Sequence, residues 1–412
     1  MAVPVSKIIK RIFSYTVLNQ FILVVSYPLI TRLYSPAEFG DFGSVQTIAI
    51  ILWSFVTLKM DLLLIVEKNK KEQKILRQYG YNTIFVNSVV CIVLAKCICI
   101  LGVLVNNSFL FLLSGGLLGA ALTALYQFCL ADKLSDAKYK KYYFYKIVFT
   151  ILLILSQFIF AYLPTTKESG LVSAWIFAQL VWIFCFCKKN FSIILHKDAL
   201  SNYIASIKKY NSKIKHVLLS HLLGNGSNYL PILIIPALFE KDDQGVYFLF
   251  YRVVVLPVDL ICNTLSQTII TQKSYLKEEN VKTIKKTIIR YVKYVALIGV
   301  FVIATLLKFE KKIVEYLFGN QWNVEIQLLT FITLTGLFKL GSGPFSQFLN
   351  LNKNYKTQFN WELFRFNLCI IVFVISFLYK INFEVTIIMY LQINSIMYII
   401  QGLLNYKELD RI

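Results

Sequence analysis

Pro28-Leu29-Ile30-Thr31-Arg32-Leu33-Tyr34-Ser35-Pro36-Ala37-Glu38-Phe39-Gly40-Asp41-Phe42 and Leu233-Ile234-Ile235-Pro236-Ala237-Leu238-Phe239-Glu240-Lys241-Asp242-Asp243-Gln244-Gly245-Val246-Tyr247 are two versions of one segment, 205 positions apart. Leu33 falls on Leu238, Tyr34 on Phe239, Gly40 on Gly245 and Phe42 on Tyr247, with no gap. The offset is close to half of the 412 residues, so the chain is expected to consist of an N-terminal half, 1–205, and a C-terminal half, 206–412. A membrane chain of two equivalent halves is expected to carry a substrate path at their interface, opened to one side and then the other. Within the first copy, Pro36 and Gly40 break helix and Phe39 and Phe42 suit a membrane interface, so 34–42 reads as a connector.

The rest of the chain supports a membrane reading. Apolar residues make up 57% and charged residues 16%, with a mean hydropathy of +0.62. A soluble domain has roughly 25% charged residues. Apolar stretches long enough to span a bilayer are read at 12–33, 43–66, 79–105, 109–130, 146–163, 170–187, 217–239, 246–270, 287–308, 324–350, 361–379 and 385–404. The fold class expected is all-α integral membrane: about twelve transmembrane helices in two pseudo-symmetric six-helix bundles around a central cavity. The first span is too long for a signal-peptide core and is kept as a helix.

Of 43 Lys and Arg residues, 31 fall in alternate loops, among them Lys68 to Arg77, Lys133 to Lys146, Lys188 to Lys215 and Lys273 to Lys293. Only seven (Arg32, Lys167, Lys241, Lys308, Lys311, Lys312 and Lys380) fall on the other side. The excess of basic residues in cytoplasmic loops then places both termini in the cytoplasm. The net charge of +21 is read as topology and lipid-surface contact, since no nucleic-acid motif accompanies it.

Several chemistries lack their signatures. The eight cysteines lie in or beside spans, and the pairs Cys97/Cys99 and Cys185/Cys187 do not have zinc-site spacing, so neither a disulfide framework nor a metal site is expected. His196, His216 and His221 read as loop or interfacial residues. No loop has a phosphate-cradling glycine run, a nucleophile elbow or a Walker motif, and no cofactor is expected. The longest cytoplasmic loop, 188–216, carries Ile193-Ile194-Leu195 and Tyr203-Ile204, which suit a short surface helix. The longest outer loop is read at 309–323.

Ionisable residues inside spans are costly and mark function. Asp259 and Lys339 lie near span centres, Lys96 somewhat beyond one, and Arg252 in the outer half of the eighth. Lys59, Asp61, Glu362 and Arg365 lie nearer cytoplasmic ends and read as snorkelling to the headgroups. Arg252 and Asp259 are seven apart and are expected on one helix face, with Pro257 bending the helix between them. Gly336, Gly341, Gly343 and Pro344 around Lys339 predict a kinked tenth span. His221, Asn225 and Asn228 make one stripe of the seventh span. In the equivalent first span Ser14, Asn19, Gln20 and Ser26 precede Pro28.

Thr31-Arg32-Leu33-Tyr34-Ser35-Pro36-Ala37-Glu38-Phe39-Gly40 resembles the opening signature of the O-antigen and capsule oligosaccharide flippases (Wzx-type). These belong to the multidrug/oligosaccharidyl-lipid/polysaccharide (MOP) exporter superfamily, which has a MATE-like fold. Gly245-Val246-Tyr247 through Arg252 to Pro257 resembles that family's eighth-helix pattern, and Leu317-Phe318-Gly319-Asn320-Gln321-Trp322 its outer-loop element. The resemblance implies a multi-pass protein of the bacterial inner membrane and not an enzyme. It implies as substrate an undecaprenyl-diphosphate-linked oligosaccharide moved from the inner to the outer leaflet. A polysaccharide polymerase and a chain-length regulator are the implied partners. Lys339, Arg252, Lys96, Asn225, Asn228 and Asn19 are then the expected substrate-binding residues, and Asp259 the candidate for ion coupling. Lys339→Ala is expected to leave folding intact or improved while blocking export, and Lys339→Arg to retain part of it. Two alternatives compete: a gradient-driven drug exporter, which calls for more acidic deep charges, and a membrane polymerase or ligase, which calls for a large outer catalytic loop.

Overall fold

The structure is a computed structural model that describes residues 5–67, 69–105, 107–136, 138–163, 169–187, 199–271, 278–322, 328–346 and 355–408. Among the described residues there is no strand. The first seven α-helices are α1 (Val5–Ile30), α2 (Pro36–Thr57), α3 (Met60–Val66), α4 (Lys70–Val105), α5 (Ser108–Ser135), α6 (Tyr139–Ala161) and α7 (Gly170–Phe186). They are followed by α8 (Ala199–Leu238), α9 (Lys241–Phe250), α10 (Leu256–Thr271), α11 (Glu278–Phe318), α12 (Leu328–Ser342), α13 (Tyr355–Tyr379) and α14 (Phe383–Glu408). The described part of each expected span falls largely on helix. Among the described residues nine stretches are long and apolar enough to cross a bilayer, and Leu18–Ile30 and Gly170–Phe186 are shorter apolar helices. In the apolar windows of α4 and α11 only 17% and 11% of residues are buried, as for helices whose solvent is lipid. The chain is a multi-pass membrane protein.

Three local readings change. α2 begins at Pro36 and α9 at Lys241, again 205 apart, so 36–42 is helix and not connector. Pro36 occupies the first helical position, where its missing N–H leaves nothing unsatisfied, and Phe39 and Phe42 are buried. The expected span 43–66 is two helices, parted at Leu58 (φ 47°) and Lys59 (φ 55°). The expected outer loop 309–323 is largely helix: α11 runs 41 residues to Phe318. Gly319 closes it with φ 102°, donating its N–H back to the carbonyls of Val314 and Glu315, as a glycine does just past a helix end. The Ile193-Ile194-Leu195 segment, His196, Lys167 and the His216 side chain lie outside the described residues; Tyr203 and Ile204 belong to α8.

The chain forms two compact units, and their boundaries differ from 205/206. One holds Met1–Pro36 with Ile234–Ile412, the other Ala37–Leu233. The first helix therefore packs with the second half of the sequence, on α10 and α11. Most of α8 packs with the first half, where Ser206 Oγ lies 3.3 Å from Thr83 Oγ1 and Lys209 Nζ 2.5 Å from Glu72 Oε1. In the 37–233 unit α4 and α5 approach closely through small residues: a Cβ at Gly80 would lie 2.1 Å from Phe128 Cζ. Tyr126, Tyr145 and Phe186 ring the buried Trp182. In the other unit Trp361, Met397 and Tyr398 form a buried cluster against Phe338, Leu368, Ile393 and Leu404.

Two backbone N–H groups in the first turn of α12 are satisfied from a neighbouring helix. Glu310 of α11 accepts from the amides of Leu329 (2.8 Å) and Thr330 (3.0 Å) and from the Thr330 hydroxyl (2.5 Å). Helix N-termini otherwise leave four orphan donors, and the positive end of the helix favours the carboxylate. Glu310→Ala is expected to destabilise the protein by about 2 kcal/mol, from loss of charge-assisted bonds to buried donors. Glu310→Gln should lose less; detergent-solubilised thermal unfolding measures both.

Candidate functional site

The three segments that carry the family resemblance meet in the unit 1–36 with 234–412. The Thr31 backbone carbonyl accepts from Gln321 Nε2 (2.8 Å) and Trp322 Nε1 (3.1 Å), and Trp322 is fully buried. Arg32 donates to the Tyr316 carbonyl. Gly245 lies so near the first segment that a Cβ there would stand 1.7 Å from the Pro36 carbonyl oxygen. These signatures are therefore first a structural knot, holding α1 against α9 and the turn after α11.

From that knot the chain enters a π-helical turn, Tyr251–Val255, between α9 and α10. The cause lies one turn on. Pro257 has no N–H for the Val253 carbonyl, and the helix loosens to an i→i−5 bond from Leu256 N to Tyr251 O. Such an insertion turns the helix by about one residue, roughly 100°, so Arg252 and Asp259 do not share the face expected from their spacing. Arg252 is 5% exposed, its Cζ 5.5 Å from the Tyr27 ring and 5.3 Å from the Phe248 ring. Asp259 points elsewhere, to Lys339.

Lys339 Nζ and Asp259 Oδ1 form a salt bridge, with side chains 12% and 21% exposed. The glycines of α12 let it form. Gly336 sits over Val254 and Val258, and a Cβ at Gly343 would lie 2.7 Å from Cys262 Sγ, so α12 lies close on α10. After Ser342 the helix tightens into a 3₁₀ turn, Gly343–Phe345. Lys339 Nζ also lies 5.4 Å from the Tyr398 ring. Arg365 meets the same ring at 5.3 Å, donates to the Tyr398 hydroxyl at 3.0 Å, stacks on Trp361 at 5.1 Å and pairs with Glu362 at 3.8 Å. Arg365 is 2% exposed. The snorkelling expected of Arg365 and Glu362 is absent because their face of α13 is turned to α14. Lys339, Asp259, Arg365 and Glu362 are thus gathered around the Tyr398 and Trp361 rings. An apolar cleft of about 810 Å³ between α11, α12 and α14 shares Tyr398 as part of its lining.

A second cluster lies in the 37–233 unit, at the break between α2 and α3. Leu58 and Lys59 hold left-handed backbone, which costs non-glycine residues about 1 kcal/mol or more each. The break is stitched from outside: Asn87 Nδ2 donates to the carbonyls of Phe55 and Val56 (3.3 and 3.1 Å), and Lys59 N donates to Thr57 Oγ1 (3.2 Å). The turn aims Lys59 inward. It is 4% exposed, lies 3.9 Å over the Trp53 ring and is 2.8 Å from His221 Nε2. His221 Nδ1 contacts Ser54 Oγ (3.1 Å) and Asn225 Nδ2 (3.2 Å). Lys59 is therefore no headgroup snorkeller and His221 no loop residue. The hint in the sequence was His221 and Asn225 at i and i+4 on an otherwise apolar stretch.

The remaining expected residues do not join one site. Lys96 is exposed on α4 among exposed Ile92, Val93 and Ile100, a lipid-type face; its depth in the span was legible but its direction was not. Asn228 of α8 and Asn19 of α1 are half-buried, and they belong to different compact units. Among the described residues no two cysteines form a disulfide. Among the described residues no group of three His, Cys, Asp or Glu side chains is placed to hold a metal.

Residues 29–327 match the sequence profile of a polysaccharide biosynthesis protein family. A comparison with curated sequences finds no match. The fold is similar to a multidrug resistance MATE family transporter of the MOP superfamily, outward-facing (TM-score 0.62, 13% identity, 98% of this chain and 96% of that one). It is similar to an inward-facing MATE family structure (0.58, 14%, 97% and 94%). It is similar also to the lipid II flippase MurJ, inward closed (0.64, 15%, 97% and 86%). At these identities the likeness is one of fold: the chain shares the fold of these transporters.

Proposed function

Because the chain belongs to the polysaccharide biosynthesis protein family, we propose that it is a flippase that carries undecaprenyl-diphosphate-linked oligosaccharide units across the bacterial inner membrane. It does so by alternating access, from the cytoplasmic to the outer leaflet. The observation that carries this reading is the pair of buried, aromatic-lined guanidinium groups of the 1–36/234–412 unit, Arg252 and Arg365. Arg252 and Arg365 are buried there against aromatic rings and Lys339 lies over Tyr398, while the acids Asp259, Glu362 and Glu310 are taken up by Lys339, Arg365 and the start of α12. Buried guanidinium groups suit a diphosphate. Tyr27, Phe248, Trp361 and Tyr398 supply rings on which sugar faces stack. The lipid tail stays in hydrocarbon, and the apolar cleft beside Tyr398 offers it a wall. The glycan's own polymerase and chain-length regulator follow as partners.

Deleting the gene in its host should remove one surface glycan and leave its lipid-linked unit in the inner leaflet. Unchanged surface glycan with no accumulating intermediate would overturn the substrate class. Orientation is tested separately. Reporter fusions after Lys74, Lys141, Lys209 and Lys286 are expected to read cytoplasmic, and fusions near Lys167 and Gly319 outside. Consistent reversal would invert both termini.

A further inference from the structure

We propose that Lys59 and His221 together hold one exchangeable proton, making the α2–α3 break the ion-coupling site of the transporter. The geometry requires a shared proton. Two bases 2.8 Å apart need one hydrogen between them. A charged pair, ammonium against imidazolium, would set two like charges at that distance in a membrane interior. Two of the remaining states reverse this hydrogen bond and differ by one proton. In the first, Lys59 is an ammonium donating to Nε2, and His221 carries its own proton on Nδ1. In the second, Lys59 is a neutral amine accepting from Nε2–H, and Nδ1 is a bare acceptor. The surroundings fit either state. Ser54 Oγ, which touches Nδ1, can donate or accept by rotating its hydroxyl, and the Asn225 amide, also on Nδ1, can present either end.

The charged group facing the pair from α3 is Asp61, whose charge acts on Lys59. Its Oδ1 is buried with no hydrogen-bond partner among the described residues. From α2 come Trp53 and Ser54, from α4 Asn87, and from α8 Asn225, none bearing a charge. Asp259, the coupling candidate from sequence, is held in its salt bridge to Lys339. Coupling rests on the chain being a transporter; the proton itself does not, and the test separates the two.

Protein labelled with ¹⁵N-histidine in lipid nanodiscs is followed by NMR between pH 5 and 9, with His221→Gln identifying the His221 signals among the three histidines. The expected result is one transition in which the His221 proton moves from Nδ1 to Nε2 with no imidazolium stage. Lys59→Met should abolish that transition. An imidazole that keeps one tautomer throughout, or titrates to imidazolium as an exposed histidine does, overturns the site. In cells Lys59→Arg keeps the charge but cannot release its proton, and surface glycan should fall at least tenfold at normal protein level. Full glycan from that variant, with the tautomer switch present in wild type, would leave a proton site without a coupling role and overturn the second half of the proposal.

Discussion

Gly245→Ala is expected to leave almost no folded protein in the membrane. The new Cβ would sit 1.7 Å from the Pro36 carbonyl oxygen and 2.5 Å from its carbon. Both are backbone, at the start of a helix, and cannot swing aside as a side chain can. Separating α9 from α2's first turn would also pull on Thr31, whose carbonyl binds Gln321 and Trp322. The cost should exceed about 4 kcal/mol, the range of core overpacking with loss of a hydrogen-bond network. Gly341→Ala is the control, since a Cβ there meets nothing within 4 Å. Gly319→Ala is intermediate: there is space, but φ is 102°, and the cost should be about 1–2 kcal/mol. Size-exclusion profiles of fluorescent fusions rank the three. A monodisperse Gly245→Ala peak at wild-type height would show that the two segments do not pack as described.

Lys339→Ala is expected to destabilise the protein, contrary to the sequence expectation of neutral or improved folding. That expectation treated the lysine as a lone charge. Its salt bridge to Asp259, with both side chains largely buried, means that truncation strands a carboxylate, and removing one member of a buried pair costs about 3–5 kcal/mol. Removing both together, as Lys339→Met with Asp259→Leu, should restore thermal stability, because a packed apolar pair replaces a desolvated ionic one. Export should stay abolished in the double variant, whereas Lys339→Arg should keep part of it. A stable double variant that still delivers wild-type surface glycan would remove Lys339 from the substrate site while leaving the fold untouched.

Hydropathy and lysine position made the helical spans legible, since length and apolar content are one-dimensional properties. What surrounded each charge was not. Depth along a span placed Lys96 and Lys339 alike, yet one faces outward among Ile92 and Val93 and the other inward on Asp259; neighbours at i±4 of Lys96, Ile92 and Ile100, were the available signal. The break at Leu58 and Lys59 had no signal, because neither residue favours left-handed backbone and the stitching comes from Asn87, 28 positions beyond Lys59. Pro257 predicted a bend, but the added π turn that rotates Arg252 from Asp259 depends on how α9 and α10 pack. The ungapped repeat located the helix starts at 36 and 241, and said nothing of which unit α1 would join.

That membership sets a timetable for biosynthesis. The Thr31 carbonyl finds its partners at Gln321 and Trp322, 290 and 291 residues later. At about 5–20 residues per second a ribosome needs roughly 15–60 s to make that stretch. Through most of this interval α1 is without α10 and α11, on which it packs, while its successors can already pack on one another. It must wait in the bilayer or beside the insertion machinery, and any nascent chain released before α10 is made leaves it an orphan, open to membrane quality control.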